Sequence, residues 1–126
     1  MQKQVRSGLK WTFLLHFIVA LFFGLILLFV PEWWGNLTNW PVGDVAMYRL
    51  VGAAMLGYGT SSILAYRETN WEKVILVVRM EIVWTGLATL VFLWALLFAD
   101  APAIGWLYAA LMAVWCAAFS IFYNPA

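Results

Sequence analysis

The 126-residue chain is 66% hydrophobic, 18% aromatic and only 10% charged, whereas a soluble domain carries about 25% charged residues, so its surface is made for lipid rather than water. Seven Lys and Arg against six Asp and Glu leave a net charge of +1, which provides no basic field to gather nucleic acid or an acidic substrate. The one cysteine, Cys116, has no partner for an internal disulfide or for a CxxC metal or redox pair.

Lys3, Arg6 and Lys10 precede the first apolar stretch, residues 11–30. That run exceeds the roughly 7–15 residues of a signal-peptide core, and Phe29-Val30-Pro31-Glu32-Trp33 offers no small-residue cleavage site. The stretch therefore reads as a retained span, with His16 about 9 Å inside it at about 1.5 Å per residue. The following segment, Pro31 to Pro41, is too polar to span and too aromatic for water, and is expected to lie on the membrane surface.

The second stretch, 45–66, opens with Asp44 and Arg49 near the outer face, where Arg49 can snorkel. Ala53, Gly57, Ser61 and Ala65 recur every four residues, with Gly52 and Gly59 beside them. Small residues at this spacing let helix backbones approach closely, so Gly57 is expected at a helix contact. At the turn 67–73, Thr69-Asn70-Trp71-Glu72 has the pattern of a capping box, opening the third stretch, 74–99.

Within that third stretch stand Arg79 and Glu81. Arg79 lies about 9 Å from the inner boundary, within reach of the interface and of Glu68 or Glu72. Glu81, about 12 Å in, has a side chain too short to reach headgroups. It continues into Thr85 and Thr89 at four-residue spacing, a polar stripe expected to face other helices. The fourth stretch, 106–123, carries a second row of small residues at Ala109, Ala113 and Ala117.

Each stretch is near the ~20 residues that cross a ~30 Å hydrocarbon layer. With short connectors, and with every backbone polar group in lipid needing an internal partner, the chain is expected to be all-α. It reads as one multi-pass domain over 1–126, an up-down four-helix bundle in the cell membrane. Lys and Arg cluster before the first stretch and around 67–73, while the other two connectors carry only Glu32, Asp44 and Asp100. The positive-inside rule then puts both termini in the cytoplasm. Trp11 and Trp71 fall at the inner boundary and Trp33, Trp34, Trp40 and Trp106 at the outer one, as interfacial anchors do.

The second stretch, running opposite to the third, brings Tyr58 and Ser62 to the depth of Glu81, and the first places His16 close to that depth. A buried His16–Tyr58–Glu81 cluster follows as the candidate site, with Thr85 on the same stripe and Arg79 or Arg49 reaching toward it. Intramembrane ionisable residues mark ion paths or ligand pockets, and a polar contact that fixes helix register is the structural alternative. No metal site is expected. A lone His16 cannot supply bis-histidine haem ligation within one chain, so no cofactor beyond bound lipid is expected. The chain lacks G-x-S-x-G, H-E-x-x-H, Walker and G-x-G-x-x-G patterns, and an enzyme is not expected.

At Leu28-Phe29-Val30-Pro31-Glu32-Trp33-Trp34, at Tyr48-Arg49-Leu50-Val51-Gly52-Ala53-Ala54-Met55-Leu56-Gly57-Tyr58-Gly59 and at Arg79-Met80-Glu81, the chain resembles small uncharacterised prokaryotic four-span proteins similar to the DoxX-like group. The resemblance implies a fold more than an activity, and singles out Arg49, Gly52, Gly57 and Glu81. Two functions compete. The favoured one is a non-catalytic accessory or scaffold subunit of a larger membrane assembly or a homo-oligomer, with other membrane subunits or its own copies as partners. The alternative is a small homo-oligomeric transporter or channel working through Glu81, or a bundle that binds an apolar ligand at the same place.

Overall fold

Turn chemistry in the connectors sets the helix limits in the computed structural model, which describes residues 2–126. Five α-helices form and no strand, among the described residues: α1 (Ser7–Phe29), α2 (Pro31–Thr38), α3 (Val45–Arg67), α4 (Trp71–Phe98) and α5 (Ile104–Ile121). Pro31 opens α2 at its first turn, where a missing N–H costs nothing, and Asn39 closes it in the left-handed region at φ 56°. Asp44 caps α3 by accepting from the Ala46 N–H at 2.9 Å. At α4 the cap is Asn70, which accepts from Glu72 N–H at 3.0 Å. This corrects the expected capping box: the N-cap is Asn70, one residue beyond Thr69, and its side chain takes the first-turn N–H expected of the Thr69 hydroxyl.

α1, α4 and α5 are long and apolar enough to cross a membrane, and α3 is not among them. The expectation of four equivalent spans is corrected in this respect. The 23 residues of α3 suffice in length, but Arg49, Arg67, three glycines and the run Thr60-Ser61-Ser62 dilute its apolar character. The outward faces are apolar, with Leu76 72% and Phe98 74% exposed, the surface of a membrane protein.

α1 packs along α3, and α4 packs along α5; the two pairs meet through fewer contacts, α1 with α5 and α3 with α4. The α1–α3 seam is built on glycine. A Cβ at Gly52 would lie 2.5 Å from the Leu28 nitrogen and 2.8 Å from the Gly24 carbonyl oxygen, and one at Gly59 would lie 3.2 Å from Ala20 Cβ. The expected row is displaced by this seam: Gly57 has nothing within 4 Å, Ala53 is exposed, and Ser61 is half-buried. Gly52 and Gly59 stand two turns apart with no Cβ at either, whereas the Ala53 methyl would hold the backbones apart. On α5, Ala109 is buried but Ala113 and Ala117 face outward.

One end of the helices is tied shut. Val5 N–H donates to the Thr69 carbonyl, Trp71 N–H to Lys3 and Ala126 N–H to Gln4, at 2.9, 2.9 and 3.0 Å. Residues 3–6, the α3–α4 turn and residues 125–126 therefore share one end. Beneath them Leu9, Phe13, Val74, Val78 and Phe119 are fully buried. Trp71 belongs to this core and meets Tyr123 edge-on at 5.8 Å, which corrects its assignment as an interfacial anchor. α2 and the loop after it cover the opposite end.

Candidate functional site: an apolar cavity above a buried polar triad

At the α2 end the helices enclose a cavity of about 250 Å³. α1 contributes Val19, Phe23 and Leu27; α3 contributes Met47, Tyr48, Val51 and Met55; α4 gives Trp84 and Phe92, and α5 gives Tyr108, Leu111 and Met112. Pro31, Trp34 and Gly35 of α2, with Trp40 and Val42, form the cover. Gly35 permits that cover, since a Cβ there would lie 2.4 Å from Val42 Cγ2 and 2.8 Å from the Trp40 carbonyl oxygen.

Aromatic rings brace the walls. Tyr108 lies 5.3 Å from Phe92, 5.6 Å from Trp40 and 6.0 Å from Phe23, centroid to centroid. Its hydroxyl accepts from Trp34 Nε1 at 2.8 Å, and the Tyr48 hydroxyl donates to the Pro41 carbonyl at 2.7 Å. These polar tips already have partners, so the cavity offers mainly carbon surface. Trp34 and Trp40 are half-buried in this cage, which corrects their reading as interfacial anchors; Trp33 and Trp106 do face outward. Met47 and Val51 line the cavity and are also 56% and 45% exposed. The cavity therefore reaches the exterior beside α3, where α3 and α4 touch little.

Val19, Met55, Trp84 and Met112 form the floor and also bound a second void of about 10 Å³, which His16, Ala20, Tyr58 and Trp115 complete. Behind it lies the polar group. His16 Nδ1 and Ser62 Oγ are hydrogen-bonded at 2.8 Å, and His16 Nε2 stands 3.4 Å from Glu81 Oε2. Either partner of the first bond can donate, depending on the ring tautomer. If Nδ1 accepts from Ser62, the Nε2 proton faces the carboxyl group. His16 is 4% exposed and Glu81 and Ser62 are fully buried. Neither Glu81 oxygen has a hydrogen bond, and the Trp115 indole N–H is likewise buried without an acceptor. A buried polar atom left this way is costly unless another group completes it.

The expected cluster is thus met in part. His16 and Glu81 come together, with Ser62 as their third member. Thr85 is buried beside them, but its hydroxyl donates its proton to the Glu81 backbone carbonyl at 2.6 Å and so has none to give a ligand. Tyr58 stacks on Trp84, with centroids 5.0 Å apart, and lines the small void rather than bonding Glu81. Arg79 is exposed and donates through Nε to the Tyr123 hydroxyl at 2.7 Å, so it neither joins the cluster nor pairs with Glu68 or Glu72. Arg49 and Asp44 are both exposed at the α2 end, and no ion pair between them forms among the described residues. No group of three or more His, Cys, Asp or Glu among the described residues is placed to hold a metal ion.

Comparison with protein-family models, with curated proteins and with solved structures finds no match.

Residues that sequence reasoning passed over include Met55 and Met112 of the floor, Tyr108 of the wall and Trp115 beside the triad. Their chemistry is apolar or amphipathic and their surroundings equally so; only helix pairing shows that they converge. Ser62 was detectable by depth.

Proposed function

We propose that the protein is a non-enzymatic, four-span integral membrane protein, with both termini cytoplasmic, that binds an apolar molecule drawn from the bilayer. The observation that carries this reading is the 250 Å³ cavity, lined by carbon and open beside α3. Apolar pockets with few polar groups are the usual form of small-ligand sites. A dry cavity of 150 Å³ takes up benzene; in proportion, this one holds about ten carbon atoms. The α3 helix equals α1 in length and packs along it, which supports its crossing beside α1 despite its weaker apolar character. The basic residues before α1 and at the α3–α4 turn share one end, as the positive-inside rule requires of a cytoplasmic face.

The accessory-subunit reading retains one supporting feature. Gly57 and Ala53 form an outward small-residue face with nothing against it in the single chain, suited to a helix of another subunit. One experiment separates the two: native mass spectrometry after gentle extraction. The ligand reading expects a small apolar adduct on the chain, absent from a Val51→Trp variant that fills the cavity. A bare chain in both samples overturns it. Polypeptide complexes without an adduct favour the accessory subunit.

A further inference from the structure

Resting on α4 as a membrane span, and not on the cavity, we propose that Arg79 and Tyr123 form a binding site for the phosphate of a phospholipid headgroup, in the leaflet at the α3–α4 turn. Arg79 belongs to a face turned toward lipid. Leu76 and Val83, one turn to either side of it, are 72% and 61% exposed, and Arg79 is exposed between them. A guanidinium against hydrocarbon requires a partner. Side chains on a helix lean toward its N-terminus, and α4 begins at this end, so Arg79 leans toward the interface although its Cα stands about 12 Å beyond that of Trp71. Its contact follows that course. Nε donates to the Tyr123 hydroxyl at 2.7 Å, and Tyr123 lies just past the end of α5, edge-on to Trp71 at 5.8 Å.

The pair is held in place yet incomplete. The guanidinium carbon stands 6.0 Å from the Tyr123 ring centroid, and the tail beyond Tyr123 is tied down by Arg6 Nε to the Pro125 carbonyl at 3.2 Å and by Ala126 N–H to Gln4 at 3.0 Å. An arginine has five N–H donors, and among the described residues only the Nε–H of Arg79 has an acceptor. No carboxylate supplies the missing charge. Glu68 pairs with Lys73 at 3.4 Å, and Glu72, about two turns nearer the end on the same face, makes no ion pair among the described residues. The Tyr123 hydroxyl, having accepted from Nε, keeps its own proton to donate.

A planar fork of N–H groups, a positive charge and an adjacent hydroxyl donor are the complement of phosphate oxygens. Phosphate is also the anion that a bilayer holds next to its hydrocarbon. Free phosphate shares this chemistry but lacks acyl chains to lie along Val83.

The test titrates the whole protein in mild detergent with phosphatidylethanolamine and with diacylglycerol of the same chains, read by native mass spectrometry. Phosphatidylethanolamine has no net charge, so general attraction to the basic end contributes little. It should bind roughly tenfold more tightly than diacylglycerol, as one charge-assisted contact allows. Arg79→Gln should bring the two lipids to equal affinity, and Tyr123→Phe should fall between. Arg67→Gln, which removes the same charge at the turn, should leave the difference intact, as should Val51→Trp. In bilayers, solid-state NMR should show dipolar coupling between the Arg79 guanidinium carbon and lipid phosphorus, the signal being identified by its loss in Arg79→Gln. No such coupling should form in galactolipid bilayers supplied with inorganic phosphate. Equal affinity of the two lipids in the wild type overturns the site. So does an equal loss in Arg67→Gln, or a loss in Val51→Trp without one in Arg79→Gln, which would place the lipid in the cavity. Coupling to inorganic phosphate in galactolipid overturns the lipid as its source. Release of the chain from bilayers by alkaline carbonate overturns the membrane reading beneath the proposal.

Discussion

The two ends of the helices are filled by different means. Near the α3–α4 turn, slim aliphatic residues, Leu9, Val74 and Val78, interlock with Phe13 and Phe119, and all five are fully buried. At the α2 end the side chains are bulkier, yet a 250 Å³ cavity remains. Ring volume alone does not fill space. Phe92 and Tyr108 meet at 46°, Trp40 and Tyr108 at 57°, and Phe23 and Tyr108 at 86°, so the rings brace one another in preferred tilted and edge-on contacts. The Trp34–Tyr108 hydrogen bond pins the arrangement. One end therefore supplies stability and the other a binding volume, with the His16–Ser62–Glu81 group on the boundary between them.

The largest test of this contrast is truncation at matched aromatic positions. In lipid the transfer term largely disappears, because the surroundings are as apolar as the core. What remains is the cavity term, about 24 cal/mol per Å³, or about 2–3 kcal/mol for a void of roughly 100 Å³. Phe119→Ala removes a fully buried ring that touches Phe13 and His16 and is expected to cost that amount. Phe92→Ala, in a wall that already borders empty space, is expected to cost less than about 1 kcal/mol. Thermal unfolding in mild detergent, followed by near-UV circular dichroism, compares them. Equal losses would show that the α2 end is as closely packed as its opposite.

A second test addresses the seam common to both ends. Gly52→Val inserts a branched side chain where even a Cβ lies 2.5 Å from the Leu28 backbone. It should cost about 2 kcal/mol, within the ordinary range for overpacking. Gly57→Ala enters open space and should be neutral or stabilising by up to about 1 kcal/mol through helix propensity. The same unfolding assay decides. Loss of stability in Gly57→Ala, confined to oligomeric preparations, would instead place that face in a subunit interface.

The glycine seam also shows how far the amino-acid order was readable. All-α character and the helix positions were legible, since long apolar runs between turn residues leave few alternatives: α1, α3, α4 and α5 each overlap an expected stretch. The meeting of His16 with Glu81 followed from counting depth from the shared end along α1 and α4, which run parallel. Which face of α3 turns inward did not follow, because Gly52, Ala53, Gly57 and Gly59 offer two small-residue faces about a quarter turn or more apart. The cavity was invisible for a related reason. Helices that are apolar all round give no periodic signal to separate lipid-facing from inward positions; Trp34 and Trp40, in the polar connector after α1, read as surface anchors by their place in the chain, although they line a pocket.

The boundary group gives the smallest effect and the one most specific to this arrangement. Ser62 has no exposure, and its hydroxyl bonds His16 Nδ1 at 2.8 Å. Ser62→Ala removes one oxygen with almost no change in packing, and leaves Nδ1 buried without a partner. A net loss of about 1 kcal/mol is expected, at the low end of the cost of an unsatisfied buried polar atom. The ring can then turn, and the 3.4 Å approach of Nε2 to Glu81 loses its second anchor. NMR of the His16 ring nitrogens provides the direct check. In the wild type a single tautomer should dominate, because Ser62 and Glu81 hold opposite sides of the ring. In Ser62→Ala the two nitrogens should move toward averaged shifts while unfolding changes only slightly. A fixed tautomer in both proteins would mean that Glu81 alone orients the histidine, and that the serine serves only to fill the seam between α1 and α3.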